Sequence, residues 1–140
     1  MGTVISANLR ARVRALDQER CAYCQSPEEL TVTSFEVDHI VPVSAEGETT
    51  LDNLCLACPS CNRHKAARQS APDPETGQDT PLYHPRRDTW PAHFEWNTET
   101  LEMIGRTPTG RATLTALRLN RPALVYLRRL WVKLSLFPPR

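Results

Sequence analysis

The sequence predicts an α+β fold pinned by a metal ion, and three observations carry that reading. A run of β-branched and aromatic residues from Thr31 to Val37, leading into Asp38-His39, reads as a strand, and Leu54–Ala57 as a second short one. Helix formers with apolar periodicity occupy 6–19, 60–69 and the C-terminal stretch. Two cysteine pairs, Cys21-Ala-Tyr-Cys24 and Cys58-Pro-Ser-Cys61, bracket the strands with a C-x-x-C spacing. That spacing lets one tight turn present two thiolates to a tetrahedral zinc. Four sulfurs close the coordination sphere, so such an ion ties two turns together and leaves chemistry to the residues held between them.

In chain order, Ser6 is expected to cap a helix over 6–19 whose apolar stripe is Leu9, Val13 and Leu16. The strand from Thr31 runs into Asp38 and His39, which are placed at its end, near the turn at Pro42. Ser44–Asp52 is polar, contains Gly47 and reads as a loop, and Leu54–Ala57 reads as the returning strand. A helix is expected over about 60–69, with Asn62 and Lys65 three apart on one face. The Pro- and Asp-rich stretch 70–81 reads as a surface linker dividing an N-terminal region, 1–70, from a C-terminal α/β extension, 71–140, that packs on it. In that extension a hairpin is expected around Asn97–Thr100. A helix over 109–119 follows it, and then a second helix capped by Asn120 with Leu124, Leu127, Trp131 and Leu134 as its stripe. Trp90, Trp96 and Trp131 are read as core.

Composition narrows the function. At 140 residues, 40% apolar and with 12 prolines, the chain has a modest core that gains from a metal crosslink. No apolar run approaches the roughly 20 residues of a membrane helix and no export signal is seen, so a cytosolic protein is expected and zinc is preferred to disulfides for the paired cysteines. Cys55 is left over and reads as a small buried apolar residue. The formal charge is only +1, yet no acidic residue follows Glu102, while Arg106, Arg111, Arg118, Arg121, Arg128, Arg129, Lys133 and Arg140 are all basic. A further basic cluster, Arg10, Arg12, Arg14 and Arg20, precedes the first cysteine pair, and Arg63, Lys65 and Arg68 follow the second. Clustered positive charge beside a metal site is the footprint of a phosphate-backbone ligand, with solvated helix faces as the alternative.

The segment Cys21–Lys65, with Asp38-His39-Ile40-x-Pro42, then Asn53-Leu54, then Cys58-x-x-Cys61-Asn62-x-x-Lys65, resembles the HNH (ββα-metal) endonucleases in their zinc-bound branch. The likeness covers about a third of the chain. It implies a ββα-metal core with a structural Zn²⁺, and a separate catalytic Mg²⁺ or Mn²⁺ held by Asp38 and Asn62. It makes His39 the general base, a role suited to a side chain that ordinarily titrates near pH 6.5. It gives Asn53 the task of holding that histidine in orientation across the loop.

The implied partner is DNA, contacted by Arg63, Lys65, Arg68, Arg128 and Arg129, and the implied activity is metal-dependent phosphodiester hydrolysis. His64, His84 and His93 carry no motif support. A non-catalytic zinc-dependent nucleic-acid-binding module is the competing reading, opposed by the joint presence of Asp38, His39, Asn53 and Asn62. A protein-interaction zinc domain is opposed by the basic tail. The sequence names neither a recognition site nor an oligomeric state.

Overall fold

A computed structural model describes residues 4–139; Arg140 of the basic run lies outside them. The described chain forms two compact units, one of residues up to Gln69 together with His84–Asp88, the other of Ser70–Tyr83 and Thr89 onward.

The first unit begins with α1 (Ala7–Leu16), whose N-cap Ser6 accepts a hydrogen bond from the Leu9 amide at 3.1 Å. The expected stripe is only partly used: Val13 is buried, whereas Leu16 is exposed and Ile5 takes a core place. Antiparallel strands β1 (Glu36–His39) and β2 (Leu54–Ala57) pair with Asp38 opposite Cys55 and His39 opposite Leu54. The strand expected from Thr31 therefore starts later, and Val32 stands in solvent, because a 3₁₀ turn at Glu28–Leu30 takes up the chain before it. Helix α2 (Pro59–Lys65) follows β2 directly, with Pro59 at its first position, where the missing N–H costs nothing. It stops earlier than its helix formers suggest, at Ala66, which adopts φ 50° while its N–H still reaches the Asn62 carbonyl.

The outer edge of β2 is closed by side chains. Asp17 accepts from the Leu56 amide at 2.7 Å, and Arg86 donates to the Leu54 carbonyl at 3.0 Å and to both Asp17 oxygens at 2.7 and 2.8 Å. The Ala22 amide takes the Leu56 carbonyl. A strand edge with its polar groups satisfied this way offers no template for another chain.

In the second unit the stretch that composition marks as a linker is a hairpin, β3 (Ser70–Pro72) with β4 (Asp79–Pro81). Its turn is organised by Asp73, fully buried, whose carboxylate meets Arg111 Nε at 3.0 Å and Nη2 at 2.9 Å and accepts from the Glu75 amide and the Thr76 hydroxyl. Then come α3 (Trp90–His93) and the hairpin expected around Asn97–Thr100, formed by β5 (Phe94–Trp96) and β6 (Met103–Gly105) in register Trp96 to Met103. Helix α4 (Pro108–Ala116) packs closely on β6, since a Cβ at Gly105 would fall 2.7 Å from the Arg111 backbone nitrogen. Trp90, Phe94, Trp96, Trp131 and Phe137 form a chain of ring contacts at 5.0–5.6 Å, the predicted aromatic core.

Helix α5 (Pro122–Lys133) departs from its expected face. Leu124, Val125, Arg128 and Trp131 are buried, while Leu127 and Leu134 of the expected stripe are exposed. Asn120 does not cap it. Its amide instead pairs both with the Met103 N–H (2.7 Å) and with the Met103 carbonyl (2.9 Å), acting as one more rung on β6.

Candidate functional site

The four cysteine thiols Cys21, Cys24, Cys58 and Cys61 are all buried, with their sulfurs within 4.8 Å of one another. Each pair sits on a matching turn: the Cys24 amide donates to Cys21 Sγ at 3.5 Å and the Cys61 amide to Cys58 Sγ at 3.4 Å. Backbone N–H groups aimed at sulfur favour the thiolate form, which is the form that ligates. The cluster is positioned to bind one metal ion.

Between the pairs, β1 faces α2 through two polar rungs. Glu36 and Asp38, two apart on the strand, share one face, and Asn62 and Lys65, three apart on the helix, share another. Asn62 Nδ2 donates to Glu36 Oε2 at 2.8 Å, and Lys65 Nζ lies 3.1 Å from Asp38 Oδ2. A carboxylate only accepts, so the Glu36 contact fixes which end of the Asn62 amide is oxygen and leaves Oδ1 for another ligand. Lys65 also donates to the His39 carbonyl at 3.2 Å.

Asp38 is largely buried. Burial raises its pKa, opposed first by the Lys65 ammonium and then by the Tyr23 hydroxyl and nearby His39. Tyr23, itself buried and held protonated well above its usual range by burial and by the neighbouring Cys55 and Asp38, donates to Asp38 Oδ2 at 3.4 Å. The Cys55 thiol, pushed up chiefly by burial, donates in turn to Tyr23 Oη at 3.5 Å. Lys65 and Tyr23 both address Oδ2. Among the described residues, no protein group donates to Oδ1.

Asp38 and His39 are the last two residues of β1, at the strand end expected of them. One further backbone bond, from the Ile40 amide to the Asn53 carbonyl (2.8 Å), keeps the backbone extended there, so the adjacent side chains alternate instead of converging. Accordingly Asp38 addresses Tyr23 and α2, while the His39 ring reaches into the loop, Nε2 to Thr49 Oγ1 at 2.9 Å. Asn53 clamps that loop: Oδ1 accepts from the Val41 amide (2.9 Å), and Nδ2 donates to the carbonyls of Val41 (3.0 Å) and Glu48 (2.9 Å). Gly47 makes room for the clamp, since a Cβ there would lie 1.8 Å from the Val41 oxygen.

Residues 21–68 match the profile of the HNH endonuclease family. The chain carries an HNH endonuclease domain. A 47-residue stretch is also 47% identical to CRISPR-associated endonuclease Cas9 of Corynebacterium diphtheriae (strain ATCC 700971 / NCTC 13129 / Biotype gravis), covering 33% of this chain and 4% of that protein. The chain thus spans only a small part of the length of that relative.

Within the HNH segment, the cysteine cluster and the residues Asp38, His39, Asn53 and Asn62 occupy one unit. Two expected phosphate contacts need correction. Lys65 is 2% exposed and committed to Asp38 and His39, not a solvated helix lysine. Arg128, in the second unit, is fully buried. It donates to the carbonyls of Leu119 (2.6 Å) and Leu101 (3.4 Å) and to Asn120 Oδ1 (3.2 Å), with its guanidinium 4.9 Å from the Trp96 ring centroid. Turn carbonyls and an aromatic face take the place of water around its charge. Arg63, Arg68 and Arg129 are exposed.

Glu36, Thr49 and Arg86 are residues that sequence reading passes over, whereas Tyr23, expected to pack under the first cysteine turn, is buried there. For Glu36 the signal is its i−2 relation to Asp38 on a predicted strand. For Arg86, far along the chain, no local signal exists. His64 bonds the Ser60 carbonyl of its own helix, as a histidine without a motif role does.

Proposed function

We propose that the protein is a metal-dependent DNA endonuclease of the HNH type, with a structural zinc on the four cysteines and a catalytic divalent cation beside Asp38 and Asn62. The observation that carries this reading is the paired rungs. They occupy Asp38 Oδ2 and Asn62 Nδ2 and leave Asp38 Oδ1 and Asn62 Oδ1, two hard oxygen donors on β1 and on α2, without a protein donor among the described residues, next in sequence to a histidine whose Nδ1 has no protein partner among them either.

The donor sets fit their ions. Four thiolates within 4.8 Å of one another suit tetrahedral zinc, and carboxylate and amide oxygens suit Mg²⁺ or Mn²⁺. A divalent cation bound at Asp38 and Asn62 would withdraw charge from the scissile phosphate and the leaving oxygen. In the tautomer this role requires, His39 Nε2–H donates to Thr49 Oγ1, which holds the ring and leaves the Nδ1 lone pair to take a proton from water. The water oxygen forms a bond to phosphorus, one P–O ester bond breaks, and the leaving oxygen is protonated from solvent. Asn53 preserves the arrangement by clamping Val41, two residues from the base. Lys65 holds part of the Asp38 charge and the His39 backbone, and Arg63 and Arg68, exposed on and after α2, are the phosphate-contact residues of this unit.

Supercoiled plasmid incubated with purified protein tests the reading. Nicking with Mg²⁺ or Mn²⁺ that is lost in chelator and lost in His39→Ala, with DNA binding kept, is the expected result. One observation favours a second reading: the Lys65–Asp38 pair already balances the buried carboxylate, as a purely structural core requires. DNA binding without nicking under any divalent ion would select that non-catalytic module.

A further inference from the structure

Helix α5 is apolar on two sides. Leu124, Val125, Arg128 and Trp131 fill its buried face. On another face Ala123, Tyr126, Leu127, Leu130 and Leu134 are exposed, with Tyr126 at 62% and Leu134 at 67%, and Leu136 just beyond the helix at 44%. At 100° per residue Ala123, Leu127, Leu130 and Leu134 fall within one narrow stripe, separated by four, three and four residues. One-off exposed leucines are ordinary, but a continuous stripe along a helix is a contact surface.

We propose that this stripe pairs with the same stripe of a second copy of the chain, antiparallel and about a two-fold axis. The spacing four-three-four reads identically in both directions. Reversed against itself it sets Leu127 opposite the second copy's Leu130, and Ala123 opposite the second copy's Leu134, small against large at each end. Such a face is self-complementary, which is what an isologous contact requires.

Shape and charge agree with that direction. A hollow of about 860 Å³ lies beside the N-terminal half of α5, bordered by Glu102, Pro122, Ala123, Tyr126 and Arg129. The protruding Leu134 and Leu136 lie at the opposite end of the helix, so antiparallel pairing brings each copy's leucines to the other's hollow. Lys133 flanks the stripe on the side of Tyr126, which puts it across from the second copy's Tyr126 and Glu102, a cation facing a ring and a carboxylate. Parallel pairing would instead set Ala123 against Ala123 and Leu134 against Leu134, leaving both hollows empty. A helix of 12 residues is about 18 Å long, so this contact is smaller than a standard interface of roughly 800 Å² per partner and gives a concentration-dependent dimer.

Sedimentation equilibrium of the full 15.8 kDa chain tests the pairing. The mass is expected to rise from one chain toward two as concentration passes through the micromolar range. Leu130→Asp, at an exposed position and checked for retained circular dichroism, should weaken association about tenfold or more. Glu102→Lys and Lys133→Glu should each weaken it, and an equimolar mixture of those two variants should recover it, because both cross-contacts are then opposite in charge. A single-chain mass up to about 0.5 mM overturns the proposal and leaves the stripe to a different occupant. A dimer indifferent to Leu130→Asp, or a mixture that fails to recover, overturns it equally.

Discussion

Lys65 Nζ sits between Asp38 Oδ2, at 3.1 Å, and the His39 carbonyl, at 3.2 Å, so one buried ammonium holds both the proposed cation ligand and the backbone of the proposed base. Removing it should be costly. In Lys65→Met the Asp38 carboxylate loses its counter-charge, and the unfolding free energy is expected to fall by about 3 to 5 kcal/mol in urea titrations at neutral pH. Mn²⁺ should raise the Tm of the variant more than that of the wild type, since the added cation then supplies the missing charge.

The same pair sets a pH dependence. Burial raises the Asp38 pKa in the folded state, so the folded protein holds its proton more tightly than the unfolded chain and ionisation opposes folding. Loss of the Lys65 charge pushes that pKa further up. The stability deficit of Lys65→Met should therefore shrink as pH falls through the folded-state pKa of Asp38, a trend that thermal unfolding at several pH values would show.

Asp73 behaves in the opposite sense. Its bonds from Arg111, the Glu75 amide and Thr76 hold its pKa down at about 2, below the ordinary 3.8. The stabilisation is present above the ordinary value and is lost as pH falls toward about 2. Tm profiles of wild type and Asp73→Asn should differ above that window and converge at its acid end.

Glu36 gives a prediction that rests on the nuclease reading. In Glu36→Ala the Asn62 amide is free to turn its nitrogen toward the cation, and the Mn²⁺ concentration for half-saturation should rise about tenfold by calorimetry on zinc-loaded protein. Glu36→Gln should lose less, because its carbonyl oxygen still accepts from Asn62 Nδ2. Equal affinity in all three proteins would remove Glu36 from the site.

Asn53→Ala should cost about 2 to 4 kcal/mol, since it strips partners from the Val41 amide and from two carbonyls at once. Nicking should fall together with stability, and urea denaturation alongside the plasmid assay would show whether the two losses travel together.

Much of this was legible in the residues. The spacing of the cysteines foretells a metal cluster, Leu54–Ala57 is the second strand to the residue, and a hairpin does turn at Asn97–Thr100. Lys65 and Arg128 were misread because charge was taken as a sign of solvent. Both lie on helix faces shared with inward residues, Arg128 four after Leu124 and three before Trp131, and their oxygen partners come from a strand and from turns up to 27 residues away. Periodicity marks such positions, but only tertiary structure shows that carbonyls wait there. The second apolar face of α5 was hidden for a related reason: Leu127 and Leu134 were merged with Leu124 and Trp131 into one stripe, although they sit well apart around the helix.

The placement of Arg86 bears on how this chain can be dissected. The polypeptide leaves the first unit after Gln69, returns for His84–Asp88 and leaves again, so the HNH segment is threaded through its neighbour's sequence and cannot be lifted out as a cassette. A recombinant fragment that stops at residue 70 keeps every cysteine and every proposed catalytic side chain, yet lacks the guanidinium that covers Asp17 and the Leu54 carbonyl. Its bared strand margin would recruit other chains, and such a fragment would be lost to precipitation before the proposed chemistry was ever assayed.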